Sequence, residues 1–128
     1  MKVSKFKECL TFFCTEELEQ CHQFYGKLLE LPLVLSTDTV LLYRITSSSF
    51  FGLTSGPERQ PAPSGAIFEL TTQTREEVDS WYEKLHMAGV KTDDSPRLIS
   101  EIGAYCFFAF DPNGYMIEIM HFPSLSTV

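Results

Sequence analysis

The sequence predicts an α+β fold of two βαβββ modules, forming curved mixed sheets around a cavity with the helices on the outside. Three observations predict it. The same order of elements is read on both sides of a proline-rich segment, Gly56 to Gly65, which holds Pro57, Pro61 and Pro63. A short helical motif recurs, Phe24-Tyr25-Gly26-Lys27-Leu28 against Trp81-Tyr82-Glu83-Lys84-Leu85. Finally, a βαβββ unit cannot easily cover both faces of its sheet, so burial favours pairing two units. The expected organisation is a single domain over residues 1–128. Module one spans about 5–55, the linker 56–64 and module two about 65–122.

Phe6 to Cys14 is rich in β-favouring residues and lacks Gly and Pro, which predicts a strand. Thr15 offers a helix cap, and Glu16, Glu17 and Glu19 suit the positive end of a helix dipole. Leu18, Cys21, Tyr25 and Leu28 then form an apolar helix face, and the helix stops near Leu31-Pro32. Strands come next at Leu33–Ser36, Val40–Ile45 and Phe50–Thr54, with Ser47-Ser48-Ser49 as a turn. The second module opens with a strand at Ala66–Leu70. Thr74 and Glu77 form a capping box. Val78, Trp81, Tyr82 and Leu85 make the helix face, and Gly89 supplies a left-handed stop. Two or three strands come after Val90, ending in Tyr105–Phe110 and Tyr115–Met120.

The bulk composition narrows the function. Hydrophobic residues are 44% of the 128, which is ordinary for a globular protein. A net charge of −7 repels phosphate backbones, so no nucleic-acid partner is expected. No leader peptide is read and no apolar run is long enough to span a bilayer, so the expectation is a cytoplasmic protein with no membrane partner. Cys9, Cys14, Cys21 and Cys106 include no C-x-x-C pair and read as reduced thiols. Phosphate-cradling glycine loops and nucleophile-elbow motifs are absent.

The most specific segment is Phe107-Phe108-Ala109-Phe110-Asp111-Pro112-Asn113-Gly114-Tyr115-Met116-Ile117-Glu118-Ile119. Pro112 presets φ at the second turn position, Asn113 suits the third, and Gly114 accepts the positive φ of a bulged hairpin. Strand alternation then puts Met116, Glu118 and Met120 on one face, and Ile117, Ile119 and His121 on the other. This segment resembles the last hairpin of vicinal-oxygen-chelate domains, the glyoxalase/bleomycin-resistance/extradiol-dioxygenase superfamily. Their pattern is an apolar strand, Asp-Pro-x-Gly, an apolar pair and Glu. Residues Cys21 to Leu33 resemble the family's first helix and its exit, with Glu30 standing where Gly is usual.

The resemblance implies four strand positions that hold a metal in metal-dependent members. They fall on Cys9, Gly52, Gly65 and Glu118, with Glu8, Leu10, Phe51, Leu53 or Ala66 as neighbouring registers. Glu118 alone matches the usual ligand type, while a catalytic divalent site needs about three nitrogen or oxygen donors. No cofactor is therefore expected; a divalent ion, if held, would rest on Glu118 and Cys9. His22 and His86 lie on helices, and His121 points away from Glu118.

The expected ligand-binding residues are Glu118, Glu69, Phe13, Tyr43, Phe50, Phe107, Met116 and Met120. Thr11 joins Phe13 on the first strand. On the seventh strand the inward set is either Tyr105, Phe107 and Ala109, or Cys106 and Phe108. Glu69 faces inward with Ile67, or away from the site if the register is off by one. Glu118 reads either as a ligand-binding carboxylate or as one satisfied by neighbouring polar groups. Three functions fit the resemblance. One is a metal-free protein that binds a small, partly aromatic or cationic molecule in an apolar cavity. Another is a metal-dependent lyase, isomerase or dioxygenase that uses Glu118 as ligand. The third is an accessory domain without a ligand. The resemblance also implies a homodimer.

Overall fold

A computed structural model describes residues 2–123. The chain divides into two compact units at Ala62/Pro63, inside the proline-rich segment. The first unit holds β1 (Cys9–Cys14), α1 (Leu18–His22), β2 (Leu33–Ser36), β3 (Val40–Thr46) and β4 (Ser49–Thr54). The second holds β5 (Ile67–Thr72), α2 (Arg75–Met87), β6 (Arg97–Ile99), β7 (Ala104–Phe110) and β8 (Met116–His121). Each is a βαβββ unit forming one four-stranded mixed sheet. The strand orders are β1-β4-β3-β2 and β5-β8-β7-β6, so the wiring is the same. In both, the first strand pairs in parallel with the fourth, and the other pairs are antiparallel. A parallel pair needs a long crossover, which the helix and the two middle strands supply.

Alternation gives each sheet two chemically distinct faces. In the first unit, Phe13, Leu41, Tyr43, Phe51 and Leu53 are buried on one face. Tyr25 of the first helix packs there, its ring 4.8 Å from that of Phe51, and Phe13 meets Phe51 edge-on at 5.1 Å. In the second unit, Phe107, Ala109, Ile117 and Ile119 are buried on the helix side, with Val78 and Leu85 of α2. Tyr82 of α2 meets Phe107 edge-on at 5.3 Å. Each helix thus covers one face of its own sheet.

Local chemistry explains the boundaries. The capping box forms at α2: Thr74 Oγ1 accepts the Glu77 N–H at 3.2 Å. The Glu77 carboxylate accepts the Gln73 N–H at 3.0 Å. Gly89 closes the helix at φ 80°. At the β7–β8 turn, Asp111 Oδ1 accepts the N–H groups of Asn113 (2.8 Å) and Tyr115 (2.9 Å). Gly114 takes φ 89°.

The first helix departs from expectation. The first strand begins at Cys9, and Phe6 is 88% exposed. Thr15 is buried and its hydroxyl accepts the Glu17 N–H at 2.9 Å in a local turn, so Glu17 rather than Thr15 is the N-cap. After His22 the helix widens into a π-helical stretch, Gln23–Leu28, in which the Leu29 N–H reaches the Phe24 carbonyl at 2.9 Å. One extra residue in a turn rotates the succeeding side chains by about 100° around the helix axis. Leu29 is therefore buried in the place expected for Leu28. Gly26 fits this turn because a Cβ there would lie 2.3 Å from the His22 ring. The chain then leaves through Glu30 at φ 59°, and the Leu31 N–H closes on the Tyr25 carbonyl at 3.0 Å.

A left-handed backbone costs a residue with a Cβ about 1–2 kcal/mol. Glu30→Gly should therefore raise stability by about 1 kcal/mol, offset in part by glycine's greater freedom when unfolded. Urea unfolding checks this, and an unchanged or lower midpoint would contradict it.

Candidate functional site

The face of the second sheet opposite α2 is built in three ranks; in the third, Cys106 and Met120 are buried with Ala104 under Ile99, Phe108 and Phe122. Ile67, Met116 and Phe110 form the first; Glu69, Glu118 and Phe108 the second; Thr71, Met120 and Cys106 the third. Arg97 of β6 extends the third rank beside Cys106. A pocket of about 450 Å³ opens at the first rank, between the Pro63–Ile67 segment and Phe110, Gly114 and Met116.

Glu118 is 6% exposed, and Glu69 lies beside it on the exposed edge strand β5. Burial raises the Glu118 pKa above the usual carboxylate value. The Cys106 thiol, which donates to Glu118, pulls it down, and the hydrogen bond and negative charge of Glu69 push it up. Glu118 thus favours its protonated form more than an exposed carboxyl group does. Burial and the Glu118 carboxylate in turn push the Cys106 thiol up to about 11, so it remains a thiol at neutral pH.

Arg97 does not neutralise this pair outright. Its Nη2 meets Asp93 Oδ2 at 2.7 Å. Asp93 also accepts the Phe108 N–H at 3.0 Å. Burial alone would raise the Asp93 pKa, but the hydrogen bonds from Arg97, Phe108 and Asp94 hold it below its ordinary value.

The expected residues separate by face. Glu118, Glu69, Met116 and Met120 come together as anticipated, and Phe50 lies on the uncovered face of the first sheet. Phe13, Tyr43 and Phe107 lie instead on the helix-side faces, Phe13 against Phe51, Tyr43 near Tyr25 and Phe107 against Tyr82. Tyr43 binds His22 Nδ1 at 2.8 Å instead, and its own pKa is raised by burial and then by Cys21. Thr11 shares the parity of Phe13. On β7 the residues of the Glu118 face are Cys106, which is buried, and Phe108. The hairpin turn carried that information, since pairing Phe110 with Met116 puts Phe108 opposite Glu118. Arg97 and Asp93 were not anticipated, and no sequence motif marks them.

The glyoxalase/bleomycin resistance protein/dioxygenase superfamily model matches residues 9–119. The chain belongs to this superfamily. Among solved structures, it resembles a glyoxalase/bleomycin resistance protein from Albidiferax ferrireducens T118, with 25% identity and a TM-score of 0.73. That match covers 94% of this chain and 100% of the other. A lactoylglutathione lyase from Agrobacterium tumefaciens shares the fold at 17% identity and a TM-score of 0.74, covering 88% and 91%. A glyoxalase/bleomycin resistance protein/dioxygenase from Nocardioides does so at 18% and 0.74, covering 94% and 86%. No curated protein matches the chain.

The superfamily's four metal positions do not form a donor set in this member. Glu118 is a buried oxygen donor on the face opposite α2. Cys9 is exposed at the start of β1, on the helix-side parity of Phe13. Gly52 offers no donor, and the Phe12 ring fills the space of its missing side chain, 2.3 Å from a Cβ built there. Gly65 is likewise without a donor, at φ 81°. Among the described residues, no three of His, Cys, Asp and Glu are grouped as a metal ion requires.

A raised Glu118 pKa means that the native state binds more protons than the unfolded chain. Stability contributed by the protonated group is full below the ordinary 4.5 and is lost as pH rises through the raised value. Glu118→Gln cannot ionise, so its stability relative to the parent should be higher at pH 8 than at pH 5. Thermal melts of both proteins at the two pH values test this; a difference independent of pH would refute it.

Proposed function

We propose that this superfamily member is a metal-free protein that binds a small, partly aromatic or cationic molecule. The observation that carries this reading is the buried Glu118, beside Glu69 and flanked by Met116, Met120, Phe108 and Phe110. A mostly apolar surface with a few fixed polar groups is the usual make-up of a small-ligand site. A ligand cation favours the ionised form of Glu118. The flexible methionines accommodate flat rings of differing shape. The occupied space at Gly52 supports the absence of a catalytic metal. A cytoplasmic location and a homodimer complete the proposal.

Benzamidinium, with neutral benzamide as its control, tests the binding reading. Benzamidinium should raise the melting temperature more than benzamide does. Glu118→Gln should weaken its binding by about tenfold, the usual worth of a charge-assisted hydrogen bond. Equal responses to the two compounds would refute a cation site. Metal analysis of freshly purified protein should find far less than one divalent ion per chain. A stoichiometric ion, lost in Glu118→Ala, would instead place the protein with the metal-dependent lyases, isomerases or dioxygenases.

For the assembly, light scattering at micromolar concentration should give about twice the 14.6 kDa chain mass. A monomer would refute the dimer.

A further inference from the structure

The outer edge strand of the first sheet is apolar and unguarded. β2 ends the order β1-β4-β3-β2, and all four of its residues are exposed. Leu33, Val34 and Leu35 are 41%, 45% and 49% exposed. The strand carries no charge and no proline, the devices by which sheets usually protect an edge. The corresponding edge of the second sheet has them: β6 is three residues long, Pro96 precedes it, and it carries Arg97.

Pairing decides which groups face outward. The Pro32 carbonyl accepts the Arg44 N–H at 2.9 Å, and the Thr37 N–H reaches the Val40 carbonyl at 2.8 Å. Alternation along an antiparallel pair then turns the N–H and C=O of Leu33 and Ser36 to the free edge. The bulge between Leu33 and Leu35 puts the side chains of Leu33 and Ser36 on one face, with Tyr43 and Leu41. On that face lies a hollow of about 340 Å³, lined by Leu18, Glu19, His22, Leu33, Ser36 and Asp38. Its surroundings are acidic. From Glu16 to Tyr43 the chain has five carboxylates, Glu16, Glu17, Glu19, Glu30 and Asp38, against the single cation Lys27. Arg44 is turned to the other face, over the Phe50 ring at 4.7 Å. A second copy suits this edge poorly. Antiparallel pairing of two β2 strands would set Glu30 of one copy against Asp38 of the other, and opposed like charges destabilise a ladder.

We infer that the free edge of β2 docks an extended, basic peptide segment of another protein. The segment adds a fifth strand to the first sheet. Its backbone pairs with the outward groups of Leu33 and Ser36, and its apolar side chains cover Val34 and Leu35. One arginine enters the hollow beside Glu19 and Asp38. Strand addition draws affinity from main-chain hydrogen bonds and specificity from side-chain pockets. The guanidinium fork matches carboxylates with charge-assisted bonds that a neutral side chain does not make. The site stands on the first unit alone and does not depend on Glu118.

Amide NMR titration of the full chain with the capped peptide Thr-Val-Arg-Val-Thr tests it. One control peptide carries citrulline in place of arginine, and another is methylated at every backbone nitrogen. The arginine peptide should shift the amides of Leu33 and Ser36. The citrulline peptide should bind about tenfold more weakly, and the methylated one should leave those amides unmoved. Ser36→Pro removes an outward N–H without touching the bonds to β3, and should weaken the arginine peptide about tenfold. Asp38→Asn should narrow the gap between arginine and citrulline. Amide spectra establish that each variant is folded; Asp38 is exposed, so its variant carries the test if Ser36→Pro does not fold. Glu118→Gln should leave binding unchanged. The inference is overturned if the arginine peptide shifts no β2 amide at millimolar concentration. It is also overturned if the shifts spread over the acidic surface without gathering on β2, or if the citrulline peptide binds equally well. Light scattering adds a last arm: a dimer that Ser36→Pro converts to a monomer would make a second copy the occupant and overturn it.

Discussion

The side chain of Asp111 fixes the register on which the second unit depends. Its carboxylate is 5% exposed and accepts two turn N–H groups. Its own N–H reaches the Tyr115 carbonyl at 3.0 Å, and its carbonyl accepts the Gly114 N–H at 3.0 Å. Four hydrogen bonds through one residue leave the hairpin a single register. A slip of one residue would turn Glu118 under α2 and bring Ile117 and Ile119 out. Those two isoleucines are 0% and 2% exposed beneath the helix, so packing enforces the same register independently of the turn. Local turn chemistry and core burial agree, which is the consistency that lets a sequence specify one structure.

That agreement explains what was legible. The repeated element order, the capping box at Thr74 and the Asp-Pro-Asn-Gly turn are each written in a few contiguous residues, and each appears as expected. The π-helical turn is not written that way. An insertion of one residue leaves the local pattern helical, and it surfaces only as burial of Leu29 instead of Leu28. Glu30 was a visible clue, because a non-glycine in a left-handed exit marks a geometry imposed by its surroundings.

The site was half legible for a related reason. Glu69, Glu118, Met116 and Met120 are placed by strand parity anchored at the hairpin. The aromatic character of Phe13, Tyr43 and Phe107 does not separate the faces here. Both helix-side cores are themselves aromatic, with Tyr25 on Phe51 and Tyr82 on Phe107. Composition cannot decide which side of a sheet an aromatic ring occupies; pairing can. Arg97 and Asp93 lay beyond reach because their partners are set by the short strand β6 and the loop before it.

Identical wiring filled in two ways accounts for the chemical contrast between the units. Counting ranks from each hairpin, Gly52 in β4 occupies the place that Glu118 holds in β8, and Phe12 in β1 the place of Glu69 in β5. The second unit keeps a carboxyl pair there, at the desolvation cost that raises the Glu118 pKa. The first unit replaces the pair by a ring laid on backbone. A glycine inside a strand weakens it by roughly 0.5–1 kcal/mol, and covering its backbone with an aromatic ring recovers part of that loss. Phe12 and Gly52 are thus mutually dependent. A side chain restored at 52 must displace the ring, so a donor cannot return there by a single substitution without disturbing β1. The same bare backbone that leaves position 52 without a donor is what seats the half-exposed ring of Phe12.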